Sequence, residues 1–321
     1  MLLVLALSQC SVCGKHGLAK GTIIASDTAW AFVTPSYTGD YQRCMLLCRS
    51  MDALLSGNWT HYIVVDRPHL AMFRHLQGPR RRVVVTDEVL PGKMRLLFHM
   101  PFAGGRSVWW SKTSGLSIGW HLQQMVKIGI ASHLSEDGLA YCDSDTFFLK
   151  PFDVAELTQH NKFRLYHSGK AVQATQTPNP AYTRAALEML DLPLEGNYYG
   201  YVDNFITWRR QSVIEMQNRL GQKHGGAWQR AFRNRLQVSE YNLYGLYVDH
   251  LSQAADTHFH TAQLLCKTHW SRETMTSEQV TAFCQDLAPN QVMVGIQSFA
   301  GVDVALLNQQ FEKVLNKGQL T

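Results

Sequence analysis

Apolar and polar positions recur along the chain in a consistent order. Ala31-Phe32-Val33-Thr34 is a short apolar run stopped by Pro35-Ser36, which predicts a first buried strand. From Asp40 to Leu55 the residues Met45, Leu46, Cys48, Met51, Leu54 and Leu55 follow helical spacing, with Asp40 placed to cap the start. His61 to Val65 predicts a second strand ended by Asp66 and Pro68, residues 69–76 a short helix, and Arg82 to Thr86 a third strand. Strand, helix, strand, helix, strand is the order of a parallel, doubly wound sheet. Residues 90–119 show no clear period and are expected to be irregular. A helix over about 120–132 carries Leu122, Met125, Val126 and Ile130 on one face and leads to a fourth buried strand, Leu139 to Cys142. Later strands are expected at 163–166 and 201–208, and helices near 181–191, 209–220 and 226–235. The implied partition is an N-terminal extension over 1–28, an α/β domain over 29–275 and a C-terminal helical extension over 276–321.

At 321 residues the chain can bury such a core without staples. A hydrophobic share of 45% against 17% charged residues excludes a disordered chain. The net charge of +5 suits an anionic small molecule and is too small for a nucleic-acid binder, which would also need a basic stripe with interleaved aromatics. The run Arg80-Arg81-Arg82 reads as a solvated strand entrance, with a phosphate or acidic-lipid contact as the sharper alternative. Seven cysteines at irregular spacing include a CxxC at Cys10 and Cys13 and an i,i+4 pair at Cys44 and Cys48. A zinc site would need a second spaced pair, so reduced thiols and a cytoplasmic location are expected. Met1 to Leu7 is apolar but lacks a basic flank and is too short to span a bilayer. No other run approaches membrane length; a soluble chain is expected, with peripheral membrane contact left open.

The chemistry concentrates at Asp143-Ser144-Asp145, directly after the fourth strand. In an open α/β sheet the carboxyl ends of the strands are where ligands bind. Two carboxylates one residue apart in a half-buried place are unfavourable without a cation, and their oxygens favour hard ions, Mn²⁺ or Mg²⁺. Bridged to a diphosphate, such an ion would neutralise the charge on a departing group. The bland alternative is an Asp turn bonding local amides. A phosphatase of the haloacid dehalogenase type also uses Asp-x-Asp, but normally after the first strand of its domain. A catalytically inactive carbohydrate- or nucleotide-binding module is the alternative from another class.

The segment Gln123 to Asp153, QQMVKIGIASHLSEDGLAYCDSDTFFLKPFD, resembles the core of GT-A glycosyltransferases of the glycogenin-like kind. Over most of its length the chain also resembles a bacterial family of predicted glycosyltransferases. The matching pieces are FVTPSY at 32–37, HYIVVDR at 61–67, GPRRRVV at 78–84, GWHLQQMVK at 119–127, YCDSDTFFLKPFD at 141–153, ITWRR at 206–210 and SEYNLYG at 239–245. The resemblance implies a GT-A fold, a Rossmann-like, mainly parallel sheet with flanking helices. It also implies transfer of a sugar from a nucleoside diphosphate sugar, UDP-linked, to a glycan or small-molecule acceptor such as a bacterial surface glycan. Asp143 and Asp145 would then hold the metal, with a downstream histidine, His269 ahead of its rivals His258 and His260, as third ligand. Thr34, Pro35, Asp66, Lys127 and Ser144 would line the donor site. Asp203 would touch the sugar, and Glu240 would bind the acceptor hydroxyl or deprotonate it. Glycogenin-like enzymes retain stereochemistry and a basic Glu240 suits inversion, so the stereochemical outcome stays open.

Overall fold

The computed structural model describes residues 28–318, apart from 91, 93, 101–105, 234 and 236. The expected extension over 1–28, with Met1 to Leu7 and the Cys10/Cys13 pair, therefore lies outside the described residues except for Thr28.

Within them the chain is a mixed α/β protein. Strand β1 (Trp30–Pro35) leads into helix α1 (Tyr41–Leu54), then β2 (Trp59–Val65) and β3 (Arg81–Val85). β4 (Arg95–Met100), β5 (Arg106–Ser111) and β6 (Gly115–Ile118) form an antiparallel meander where irregular chain was expected. Helix α2 (Gly119–Gly129) precedes β7 (Gly138–Cys142) and the short β8 (Thr146–Phe148). There follow α3 (Pro180–Leu190), β9 (Phe205–Arg209), α4 (Arg210–Lys223), α5 (Glu240–His250), β10 (Cys266–His269), α6 (Ser277–Gln285), β11 (Met293–Ile296) and α7 (Val304–Gly318). The helix expected at 226–235 is a short 3₁₀ turn, Trp228–Phe232.

The central sheet has the order β9-β7-β1-β2-β3, parallel except for β9, which runs antiparallel at one edge. Successive side chains of a strand point to opposite faces. On β1 and β7 this sends Ala31, Val33, Leu139 and Tyr141 into a core shared with Met125 of α2 and Leu243 of α5. Phe32, Ala140 and Cys142 go the other way, into a core with Leu47 and Met51 of α1. Both faces are therefore covered, as a parallel sheet requires. Each fully buried large side chain contributes about 1.5–3 kcal/mol.

A second sheet, β10-β11-β8, joins the segment after Asp145 to the C-terminal region. The stretch expected as a helical extension thus carries a strand between two helices, and its Leu307 and Phe311 bury against Phe147, Val280 and Ile296. Arg43 of α1 is buried here too, donating to the carbonyls of Ile296 and Val302. Arg81 donates to both carboxylate oxygens of Asp52 and Arg80 lies over the Trp59 ring, so these two cations of the basic run have protein partners. Cys44 and Cys48 are buried free thiols.

Candidate functional site

Chain order reverses between β1 and β7: β2 and β3 lie to one side of β1, and β7 to the other. A doubly wound sheet opens a crevice at such a point, outside the carboxyl ends of its strands. The residues that follow these ends, Pro35 to Tyr37 after β1, Asp66 after β2 and Asp143 to Asp145 after β7, all line a cleft of about 1000 Å³. Helices α2 and α5 supply another wall through Gln124, Lys127, Glu240 and Tyr241, and residues 202–204, 270 and 297–299 close it. Its rim carries the exposed aromatic residues Tyr37, Trp120, Trp270 and Phe299.

Six carboxylates line this cleft, those of Asp40, Asp66, Asp143, Asp145, Asp203 and Glu240, against the single ammonium of Lys127. Lys127 is buried between two of these carboxylates and the Tyr241 hydroxyl. Its Nζ lies 2.9 Å from Asp143 Oδ1 and 3.2 Å from Glu240 Oε1, and donates to Tyr241 Oη at 2.6 Å. Burial opposes its charge, yet Asp143, Tyr241 and Glu240 hold its pKa well above the usual lysine value. Glu240 opens α5 behind Ser239, whose hydroxyl accepts from the Asn242 amide as a helix cap. Burial raises the Glu240 carboxyl, and Lys127 pulls it back.

The aspartate pair is asymmetric. The Asp143 side chain is 37% exposed and shares one oxygen with Lys127. Asp145 is only 8% exposed. The end of β11 and the turn after it pin it, since the Ile296 amide donates to its backbone carbonyl and the Ser298 amide to its Oδ2. Its Oδ1 is buried with no hydrogen-bond partner among the described residues, and burial followed by the charge of Asp143 pushes its pKa up to about 7. Asp203 repeats the pattern: 3% exposed, Oδ2 without a partner, and raised to about 7 by burial.

Ser144 donates to Asp40 Oδ2 at 3.2 Å. Asp40 does occupy the cap position of α1, but its side chain makes no capping bond and turns into the cleft instead. Asp66 accepts from Thr86 Oγ1 at 2.9 Å.

Two expected site residues lie elsewhere. Thr34 is fully buried inside the sheet, donating to the Cys142 carbonyl and contacting His61 Nε2 at 3.0 Å, because strand parity turns it away from the cleft. His269 donates to the Glu273 carbonyl at 3.1 Å and packs on Phe283, and its neighbour Trp270 is the residue that reaches the cleft. Its rivals are also engaged elsewhere, His258 with Tyr244 Oη and His260 with Asp249. Among the described residues no three His, Cys, Asp or Glu side chains converge as a ligand set, so the expected Asp143, Asp145 and His269 shell is not assembled. Asp40 and Gln124 are cleft residues that sequence reasoning passed over, because a helix-start aspartate and a mid-helix glutamine have routine explanations.

The fold and the cleft define a mixed α/β protein with an acid-lined cleft at its strand-order reversal. The chain belongs to a family of unknown function, DUF6492, whose model matches residues 29–319. No curated protein matches it.

Proposed function

We propose that the chain is a glycosyltransferase of the GT-A kind, which binds a nucleoside diphosphate sugar with Mn²⁺ or Mg²⁺ and passes the sugar to a hydroxyl acceptor. The observation that carries this reading is Asp145 Oδ1, a buried carboxylate oxygen without a partner, beside Asp143 at the carboxyl edge of a doubly wound sheet. A buried carboxylate with one oxygen bonded to the Ser298 amide and the other orphaned fits a cation as its missing partner. Two carboxylates form only part of a coordination shell. Mg²⁺ and Mn²⁺ sites of this type keep waters and take phosphate oxygens, so a third protein ligand is unnecessary. The acid-rich cleft fits the same reading, since its acidic side chains outnumber Lys127 and a diphosphate there would need a cation beside it.

When bound, the ion would supply charge neutralisation for the departing nucleoside diphosphate. Pro35, Tyr37 and Asp66 stand where a doubly wound fold receives the nucleoside, with Tyr37 offering a ring face to a base. Lys127 holds Asp143 in position and pairs with Glu240, opposing the rise that burial imposes on its carboxyl. That pairing supports a positioning role for Glu240 over a role as base. Asp203, with one oxygen free, is the better-placed group to accept a hydrogen bond from a sugar hydroxyl.

The test is a thermal-shift panel of nucleoside diphosphates and their sugars, with UDP-linked ones first, each with and without Mn²⁺. Ligand at a hundred times its Kd adds about 2.7 kcal/mol to the native state, enough to raise the melting temperature visibly. At least one nucleotide sugar is expected to do so only with the ion present, and Asp145→Ala is expected to abolish the shift. A panel with no ion-dependent response would sink the proposal. Release of free sugar from the responding donor then separates an enzyme from an inactive binding module.

A further inference from the structure

Gln124 lies on α2 one turn before Lys127, a spacing that puts both side chains on one face about 5–6 Å apart at Cβ. It lines the cleft and is only 1% exposed, and neither its amide nitrogen nor its carbonyl oxygen has a hydrogen-bond partner among the described residues. Its sequence neighbours on this helix, Leu122, Met125 and Val126, are buried in the main core, so an apolar residue here would suit the fold. A carboxamide buried with both ends unpaired weakens the free protein, because its lost hydration is not replaced. Such a group is explained if a ligand completes it.

The chemistry of the group narrows the ligand. A carboxamide presents two donors and an acceptor side by side, so its complement both donates and accepts at neighbouring atoms. Hydroxyl groups on adjacent ring carbons do this, whereas a phosphate only accepts. Position narrows it further. Lys127 is bound to Asp143, the residue placed at the diphosphate, whereas the nucleoside end is assigned to Pro35, Tyr37 and Asp66, at the ends of β1 and β2. The part of a nucleoside diphosphate sugar that reaches α2 beside the diphosphate is its glycosyl ring.

We propose that Gln124 reads the ring hydroxyls of the donor's sugar and is a specificity-determining residue of the cleft. The assignment rests on the nucleotide-sugar reading given above. It requires that the side chain work for the ligand and not for the fold, and those two roles separate by experiment. Gln124→Met keeps the length and removes both polar atoms, and the shorter Gln124→Leu repeats the comparison where methionine does not fit.

The full chain is melted without ligand and then titrated calorimetrically, with Mn²⁺ present, against the nucleotide sugar that shifts the wild type and against the matching nucleoside diphosphate. Without ligand the apolar variants are expected to melt at or above the wild-type temperature. Affinity for the nucleotide sugar is expected to fall roughly ten- to a hundred-fold, while affinity for the nucleoside diphosphate stays within about two-fold. Equal losses for both ligands, unchanged affinity for the sugar, or lower melting in both apolar variants would each overturn the assignment. A wild type that binds no nucleotide sugar takes down the nucleotide-sugar reading and this one together. A wild type that binds, beside a variant that binds equally well, removes the Gln124 assignment alone.

Discussion

Asp203 shows how far a single side chain can depart from its ordinary behaviour. The amides of Asn204 and Phe205 and the Arg164 guanidinium all favour its charged form, yet burial outweighs them and pushes the pKa up to about 7. The nearby titratable Tyr166, Cys142 and Cys266 are all raised in their turn, so they stay neutral and add no negative charge beside it. The ordinary value, 3.8, describes the unfolded chain. Between that value and about 7 the folded state holds a proton that the unfolded state has released, so stability falls as pH rises through this window and levels off above it. Asp203→Asn is expected to flatten the decline by a few kcal/mol at most, at roughly 1.4 kcal/mol per pKa unit. Asp145, also raised to about 7, leaves a residual slope. Urea-unfolding free energies of both proteins across pH 4.5–8 decide it, and parallel curves would refute the account. At this scale the sequence was informative where charge breaks an apolar pattern, as at Asp143, Asp145 and Lys127. It misled at Thr34, which stands at the end of the strand but, by the strand's alternation, turns into the sheet toward His61 and the Cys142 carbonyl.

Between elements, the tightest approach near the site is α5 against the chain that leads to Asp203. A methyl group at Gly245 would stand 2.2 Å from the Tyr201 ring. The same segment is tied again where the Tyr201 amide donates to Asn242 Oδ1 and its hydroxyl to Asp249 Oδ2. Glycine at 245 is thus needed for closeness, although it lies inside a helix, where it costs about 1 kcal/mol relative to alanine. Gly245→Ala should gain that propensity and still lose about 1–3 kcal/mol overall from overpacking. It should also weaken nucleotide-sugar binding, because Tyr201 can yield only by shifting Val202 and Asp203 in the cleft wall. Chemical denaturation and ligand titration of the variant measure both effects; a variant as stable as the wild type would show that the contact relaxes freely. Elements with strong periodicity, α1, α2 and β1 to β3, were legible from the chain alone. The meander of β4 to β6 was not, since its register shifts between Leu96 and Phe98 and the shift breaks the alternation that would have announced it.

For the molecule as a whole, the cleft is built by two cores that meet at the aspartate pair. β7 delivers Asp143 from the central sheet, whereas Asp145 is fixed by amides from the end of β11 and the turn after it, which belong to a separate cluster closed by α6 and α7. Sequence order hid this, because the partner of residues 146–148 lies about 150 positions downstream and no local pattern can announce so distant a pairing. The second cluster is smaller than either core of the central sheet, so it should open with less free energy. Phe311 on α7 is fully buried in it and does not line the cleft. Phe311→Ala is expected to cost about 3–5 kcal/mol. If the two cores are energetically distinct, much of that loss falls on the second. Amide hydrogen exchange should then accelerate strongly at Ile296 and Ser298 and little at Phe32, Val33 and Ala140. Ion-dependent binding should weaken with it, since Asp145 loses the amides that aim it, even though every cleft residue is intact. Uniform acceleration across both sheets would instead mean one cooperative unit, and would place the positioning of Asp145 in the fold as a whole.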